Sequence, residues 1–232
     1  MSAGSGSPAA DESRQGPEPT EGAGPASYRT VQGPVVAELE VKRSLFRCDL
    51  VPVATEDAAR SLIAAVRAEH PRARHHCSAF VLGPSARTQR SNDDGEPSGT
   101  AGAPMLDALT SAGLSDVVAV VTRYFGGVLL GAGGLTRAYR GAVAEAIAVA
   151  RPRTLVLRRL LEVRLDYAAA ASLEAQARRR GWAVLDADYA ADVGLRLGVP
   201  QSEEPELGAL VAELTAGSAV VTRGALDYLA EE

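Results

Sequence analysis

Val117 to Ile147, with Asp116 before it, reads DVVAVVTRYFGGVLLGAGGLTRAYRGAVAEAI and constrains the fold more than any other stretch. Val117, Val118, Val120 and Val121 leave no polar alternate position, so the segment suits a strand covered on both faces. Gly126, Gly127, Gly131, Gly133 and Gly134 follow, giving the backbone access to positive φ and to close approach by a ligand or a second chain segment. From Leu135 onward, Tyr139, Val143, Ala146 and Ile147 recur at helical spacing, so the glycines deliver the chain to a helix N-terminus. Free amides and a partial positive charge at such an end favour anions, and Arg123 and Arg137 add full charges beside it. The segment is therefore a candidate phosphate site, although the same glycines would equally serve tight packing. Neither nucleotide fingerprint fits, because no Gly-Lys-Ser/Thr is present and Thr136 stands where a dinucleotide loop needs Gly or Ala.

The rest of the chain is organised around two domains and a polar tail. Residues 1–27 hold Gly and Pro with no large aliphatic beyond Met1, so disorder is expected there. The segment lacks the basic start and apolar run of a signal peptide. Thr55 can cap a helix whose Ala59, Leu62, Ile63 and Val66 share one face. Alternation predicts strands over Val35–Lys42, Phe46–Leu50 and His75–Leu82, and Pro104 suits the first position of a short helix. The order β-β-α-β-α-β-α over residues 28–150 implies a mixed sheet with helices packed on it. Beyond Arg151-Pro152-Arg153, residues 151–232 read as β-α-β-β-α-β, the ferredoxin-like order. Its helices are expected from Ala168 to Arg180 and after a Ser202 cap, ending near Gly217.

Charge and cysteine content narrow the function classes. Residues 28–150 carry 13 basic and 12 acidic side chains, so any nucleic-acid contact must come from a local patch. Cys48 and Cys77 are too few for a disulfide framework and point to a reducing cytoplasm. No apolar run approaches the roughly 20 residues of a membrane span. His75 and His76 are neighbours on a strand and leave opposite faces, while Cys77 shares a face with His75. That spacing permits a Cys/His pair, yet the sequence names no orienting group and no further zinc ligand. The loop Asn92–Gly102 is long and patterned, as functional loops often are. Its carboxylates do not match a calcium loop and are expected to form an ion-paired loop beside the glycine-rich turn. No metal or cofactor is expected.

Three segments resemble one known family. They are Lys42-Arg43-Ser44-Leu45-Phe46; Ala73-Arg74-His75-His76-Cys77; and Ser91–Leu106 continuing through Arg123-Tyr124-Phe125-Gly126-Gly127 to Leu130–Leu135. Together they resemble the IMPACT family over roughly residues 38–150, and the two-domain arrangement resembles its bacterial YigZ members. The resemblance implies an N-terminal α/β domain of ribosomal-protein and RNase PH type with a left-handed crossover. It also implies a ferredoxin-like C-terminal domain similar to the last domain of elongation factor G. For function it implies RNA or ribosome association and a role in regulating translation, with a protein of the translation machinery as a further partner; the residues themselves favour a non-catalytic binding protein. The corresponding anion or RNA site comprises Arg123, Tyr124, Gly126, Gly127, Gly131, Gly133, Gly134, Arg137 and Arg140, with Tyr124 or Phe125 as a stacking face. A polar site of His76, Asp93, Asp94, Glu96 and Thr100 stands beside it. The alternative is a hydrolase or other enzyme acting on a small phosphate- or carboxylate-bearing substrate, with His76, Asp94 or Glu96 as acid or base.

Overall fold

A computed structural model describes residues 24–231, which fall into two compact units. One comprises Gly24–Arg158 together with the C-terminal end from Tyr228, and the other Arg159–Asp227. The expected disordered tail lies outside the described residues but for its last four positions, and Ser27 already begins a strand.

In the first unit the strands are β1 (Ser27–Val31), β2 (Val35–Val41), β3 (Ser44–Pro52), β4 (His75–Leu82), β5 (Thr88–Asn92) and β6 (Val117–Tyr124). The helices are α1 (Glu56–Glu69), α2 (Gly102–Ser111) and α3 (Ala132–Val149). The main sheet has the order β2-β3-β6-β4-β5. Every ladder in it is antiparallel, not mixed as the element order suggests. The reason is topological: the connection through α1 carries the chain from β3 past a vacant place to β4, and β6 later fills that place antiparallel to both.

β6 is thus the central strand, and its β-branched run is covered on both faces. Val117, Ala119 and Val121 join Phe46, Cys48, Leu50, Met105, Leu109, Leu135, Tyr139 and Val143 in a core beneath α2 and α3. Val118 and Val120 meet Ala59, Val66, Phe80 and Leu82 on the α1 side. Thr55 caps α1 by accepting from the Ala58 amide, as its position ahead of the apolar face predicts. Two helices begin earlier than their apolar spacing indicates. α2 starts at Gly102, so Pro104 is its third residue, tolerated because first-turn amides have no intrahelical acceptor. α3 starts at Ala132, so Gly133 and Gly134 lie in its first turn. Their helical conformation costs about 1 kcal/mol each relative to Ala, and a Cβ on Gly134 would come within 2.8 Å of the Leu130 Cβ.

β7 (Pro152–Leu165) starts in this unit and ends in the other. Its first residues pair with β1, Ser27 opposite Val156 and Val31 opposite Pro152. Pro152 opens the strand, a position where the missing N–H is tolerated. From Arg159 onward β7 pairs with β9 (Val193–Val199), which pairs in turn with β8 (Ala183–Tyr189). β10 (Val221–Ala230) also pairs with β7. α4 (Tyr167–Arg179) and α5 (Glu204–Thr215) complete the β-α-β-β-α-β order, their Leu173, Ala177, Leu207, Leu210 and Val211 sealing a core over Leu161, Val163, Leu195 and Leu197. Asp166 caps α4. Ser202 does not cap α5; it lies inside a 3-10 turn, Gln201–Glu203, that precedes the helix. Gly217, at φ +78°, follows the last turn as expected of a C-terminal glycine. No helix among the described residues is long and apolar enough to cross a membrane.

Candidate functional site

The loop from Asn92 to Gly102 is a knot of satisfied hydrogen bonds. Asp93 accepts from the amides of Gly99, Ala101 and Gly102 at 2.8, 3.0 and 2.8 Å, so it caps α2 from eight or more residues upstream. Burial opposes its ionisation, but the three amides outweigh that and hold its carboxyl below the ordinary value. Asp94, at φ +42°, accepts from the His76 amide and from Arg67, while its carbonyl meets His75 Nδ1. The His76 ring lies 3.1 Å from the His70 carbonyl. Thr100 turns its hydroxyl to the Pro97 carbonyl. Cys77 donates to the Asp93 carbonyl, and burial pushes its thiol up to about 12, so it is no thiolate nucleophile at neutral pH. Asp94 is therefore engaged in holding the loop to β4, and the His76 ring is engaged at the C-terminal end of α1.

Replacing Asp93 tests this directly. Asp93→Ala removes the cap of α2 and is expected to lower stability by about 2 kcal/mol, the upper end for a helix cap. Because the folded carboxyl titrates below its ordinary value of 3.8, the contribution is complete above that pH and disappears as pH falls through the lower folded value. Urea midpoints of both proteins should therefore differ at pH 7 and converge in strong acid. A difference that does not narrow as pH falls from 3.8 into strong acid would contradict the assignment.

Glu96 and Arg123 form the second anchor. Strand parity sends Arg123 to the same face as Val121, towards α3. Its Nη1 donates to Glu96 Oε1 at 2.6 Å, and the Tyr139 hydroxyl donates to the same oxygen at 2.8 Å. The guanidinium stacks between the Phe46 and Phe125 rings at 5.4 and 5.6 Å. Arg123 is 8% exposed and its charge is matched by Glu96, in the manner of the ion-paired loop expected from the sequence, so it is not the free cation of the candidate phosphate site. Arg140 likewise ion-pairs with Asp107.

What remains at this end of the sheet is an exposed basic rim. The two-residue turn between β2 and β3 is Lys42-Arg43, both at positive φ (46° and 65°) and both exposed. Such a turn ordinarily takes Asn-Gly, so the basic pair is held at a conformational cost of the kind that clusters at functional sites. Gly126 fits against it: a Cβ there would lie 2.0 Å from the carbonyl carbon and oxygen of Arg43. Gly127 and Gly131 adopt φ +83° and +73°. Gly131 precedes α3 without any side-chain cap, leaving the first-turn amides of Ala132, Gly133 and Gly134 without an intrahelical acceptor. Arg137 lies over that turn, where a Cβ on Gly133 would be 3.6 Å from its Nη1. Among the described residues no carboxylate meets Arg137, Lys42, Arg43, Arg72 or Arg74. Beside the rim, a cleft of about 490 Å³ is lined by Arg72, Arg74, His75, Arg123, Tyr124, Phe125 and Leu129.

Sequence reasoning placed Arg137 and the glycines at the site but missed Lys42, Arg43, Arg72 and Arg74. Lys42 and Arg43 lie in the β2–β3 turn, Arg72 and Arg74 just ahead of β4; strand order alone brings them together, because β3 and β4 flank β6 on opposite sides. The signal available was local, since Lys42 is the only lysine in the chain and sits at a two-residue strand break.

Comparison with known proteins follows the same division. Residues 42–147 match the Impact N-terminal domain and residues 163–218 a domain of unknown function, DUF1949. IMPACT family member YigZ of Escherichia coli is 39% identical over 89% of this chain and 98% of its own length. IMPACT family member YvyE of Bacillus subtilis is 38% identical over 88% of this chain and 94% of its own. A crystal structure of a hypothetical protein superposes with a TM-score of 0.60 at 36% identity, covering 84% of this chain and 96% of that one.

Proposed function

The chain belongs to the IMPACT family, and from that premise we propose that it is a non-catalytic, RNA- or ribosome-associated protein that regulates translation in the cytoplasm. The observation that carries this reading is the start of α3, where uncapped amides lie beneath the guanidinium of Arg137, which meets no carboxylate among the described residues. A guanidinium reaching back over the first turn from the second opposes the helix dipole, and a bound phosphate relieves both. Lys42 and Arg43 extend the positive surface from the neighbouring turn. In the finer description of the fold, the first unit is an α/β domain of ribosomal-protein and RNase PH type. The second is ferredoxin-like, with sheet order β10-β7-β9-β8. A protein of the translation machinery is a second partner on this reading. The enzyme alternative is weakened because Asp94 holds the loop, Glu96 is taken up by the buried ion pair and the His76 ring is engaged by the His70 carbonyl.

Binding to purified ribosomes and to ribosomal RNA, measured by co-sedimentation and fluorescence anisotropy from 50 to 200 mM salt, tests the proposal. Affinity should fall steeply with salt, and the triple variant Lys42→Ala/Arg43→Ala/Arg137→Ala should bind roughly tenfold or more weakly with a shallower salt slope. Absence of binding at 50 mM salt would overturn it.

A further inference from the structure

Resting on the reading that this face binds RNA, we infer that the cleft beside Phe125 takes one unpaired nucleotide, so that the protein selects single-stranded RNA over duplex. Its lining supplies charge from Arg72 and Arg74, which meet no carboxylate among the described residues, together with the His75 ring. The same lining supplies apolar and π surface: Tyr124, Phe125 at 56% exposed and Leu129 at 83% exposed. Large apolar side chains left in water beside unmatched arginines form a surface that an aromatic ring bearing a phosphate would cover. The cleft, about 490 Å³, lies in the range of small-ligand sites.

Arg123 prepares the stacking platform. Its guanidinium sits 5.6 Å from the Phe125 ring centroid on one side, and Glu96 locks it in place. The Nε of Arg123 is buried without a hydrogen-bond partner among the described residues, and the side chain contributes to the cleft lining. Packing against Arg123 alone does not account for a Phe125 that leaves more than half its surface in water. A base inside a duplex hides its faces in the stack, so only an unpaired base can lie on this ring.

The test compares a fluorescein-labelled 12-nucleotide RNA with the same strand annealed to its complement, by anisotropy at 50 mM salt. The full-length protein should prefer the single strand by tenfold or more. Phe125→Ala should weaken single-strand binding roughly tenfold and leave duplex binding unchanged, Phe125→Tyr should retain the preference, and Arg74→Ala should also reduce it. Arg137→Ala, outside the cleft, should weaken both forms alike. Equal affinity for the two forms, or a Phe125→Ala effect shared by both, overturns the nucleotide cleft while leaving RNA binding intact. Absence of binding to either form overturns the RNA reading as well.

Discussion

Glu96→Ala is expected to cost about 3–5 kcal/mol, because it strands the Arg123 guanidinium in a buried position with no carboxylate to match it. Glu96 is 8% exposed, and its Oε1 receives both Arg123 Nη1 and the Tyr139 hydroxyl. Removing the carboxylate leaves two buried donors unsatisfied at once. The Tyr139 hydroxyl cannot relieve the loss by ionising, since burial first and then neighbouring Cys77 push its pKa far upward even without Glu96. Glu96→Gln keeps an acceptor in place and should lose less, whereas the double change Glu96→Leu/Arg123→Met removes both charges and should recover much of the loss. Urea midpoints for the four proteins form the measurement. A cost below about 1 kcal/mol for Glu96→Ala would mean that solvent reaches the pair and that it does not anchor the loop to β6.

The elements that were legible in the sequence are those whose pattern is local. β9 shows in the alternation of Val193, Leu195, Leu197 and Val199, and α1 announces itself through the Thr55 cap and the spacing of Ala59 and Val66. β5 carries Thr-Gln-Arg-Ser-Asn, with no apolar residue to betray it, and exists because its backbone completes the edge of β4. The early starts of α2 and α3 were hidden for a related reason, since Asp93, which caps α2, and Leu130, whose side chain leaves no room for a Cβ on Gly134, lie outside the helices themselves. The candidate site divides in the same way. The glycines and Arg137 are contiguous and could be read. The choice of Arg123 over Arg137 as the partner of Glu96 could not, because both faces of β6 are buried and parity alone does not say which face meets the loop. Lys42, Arg43, Arg72 and Arg74 converge only through strand order.

The glycines of this site serve two different ends, and single alanines separate them by sign. Gly126→Ala would place a Cβ 2.0 Å from the carbonyl group of Arg43 and 2.5 Å from the Ser44 amide nitrogen. These are backbone atoms of a two-residue turn already at positive φ, so no side chain can swing away, and the turn or the end of β6 must move. We expect a loss of about 3 kcal/mol, the top of the range for overpacking, accompanied by weaker RNA binding because Lys42 and Arg43 are displaced. Gly133→Ala meets only Arg137 Nη1, at 3.6 Å, an ordinary contact, and its φ is not in the left-handed region. Within a helix, alanine is better than glycine by about 1 kcal/mol, so this variant should be the more stable protein. Its methyl group nonetheless stands over the first-turn amides, where a phosphate oxygen must approach, and binding should fall although stability rises. Thermal unfolding and RNA anisotropy on the two variants give the comparison. If Gly133→Ala gains stability and binds RNA as well as the parent, the start of α3 is a packing device, and the anion must be held by the side chains of the rim alone.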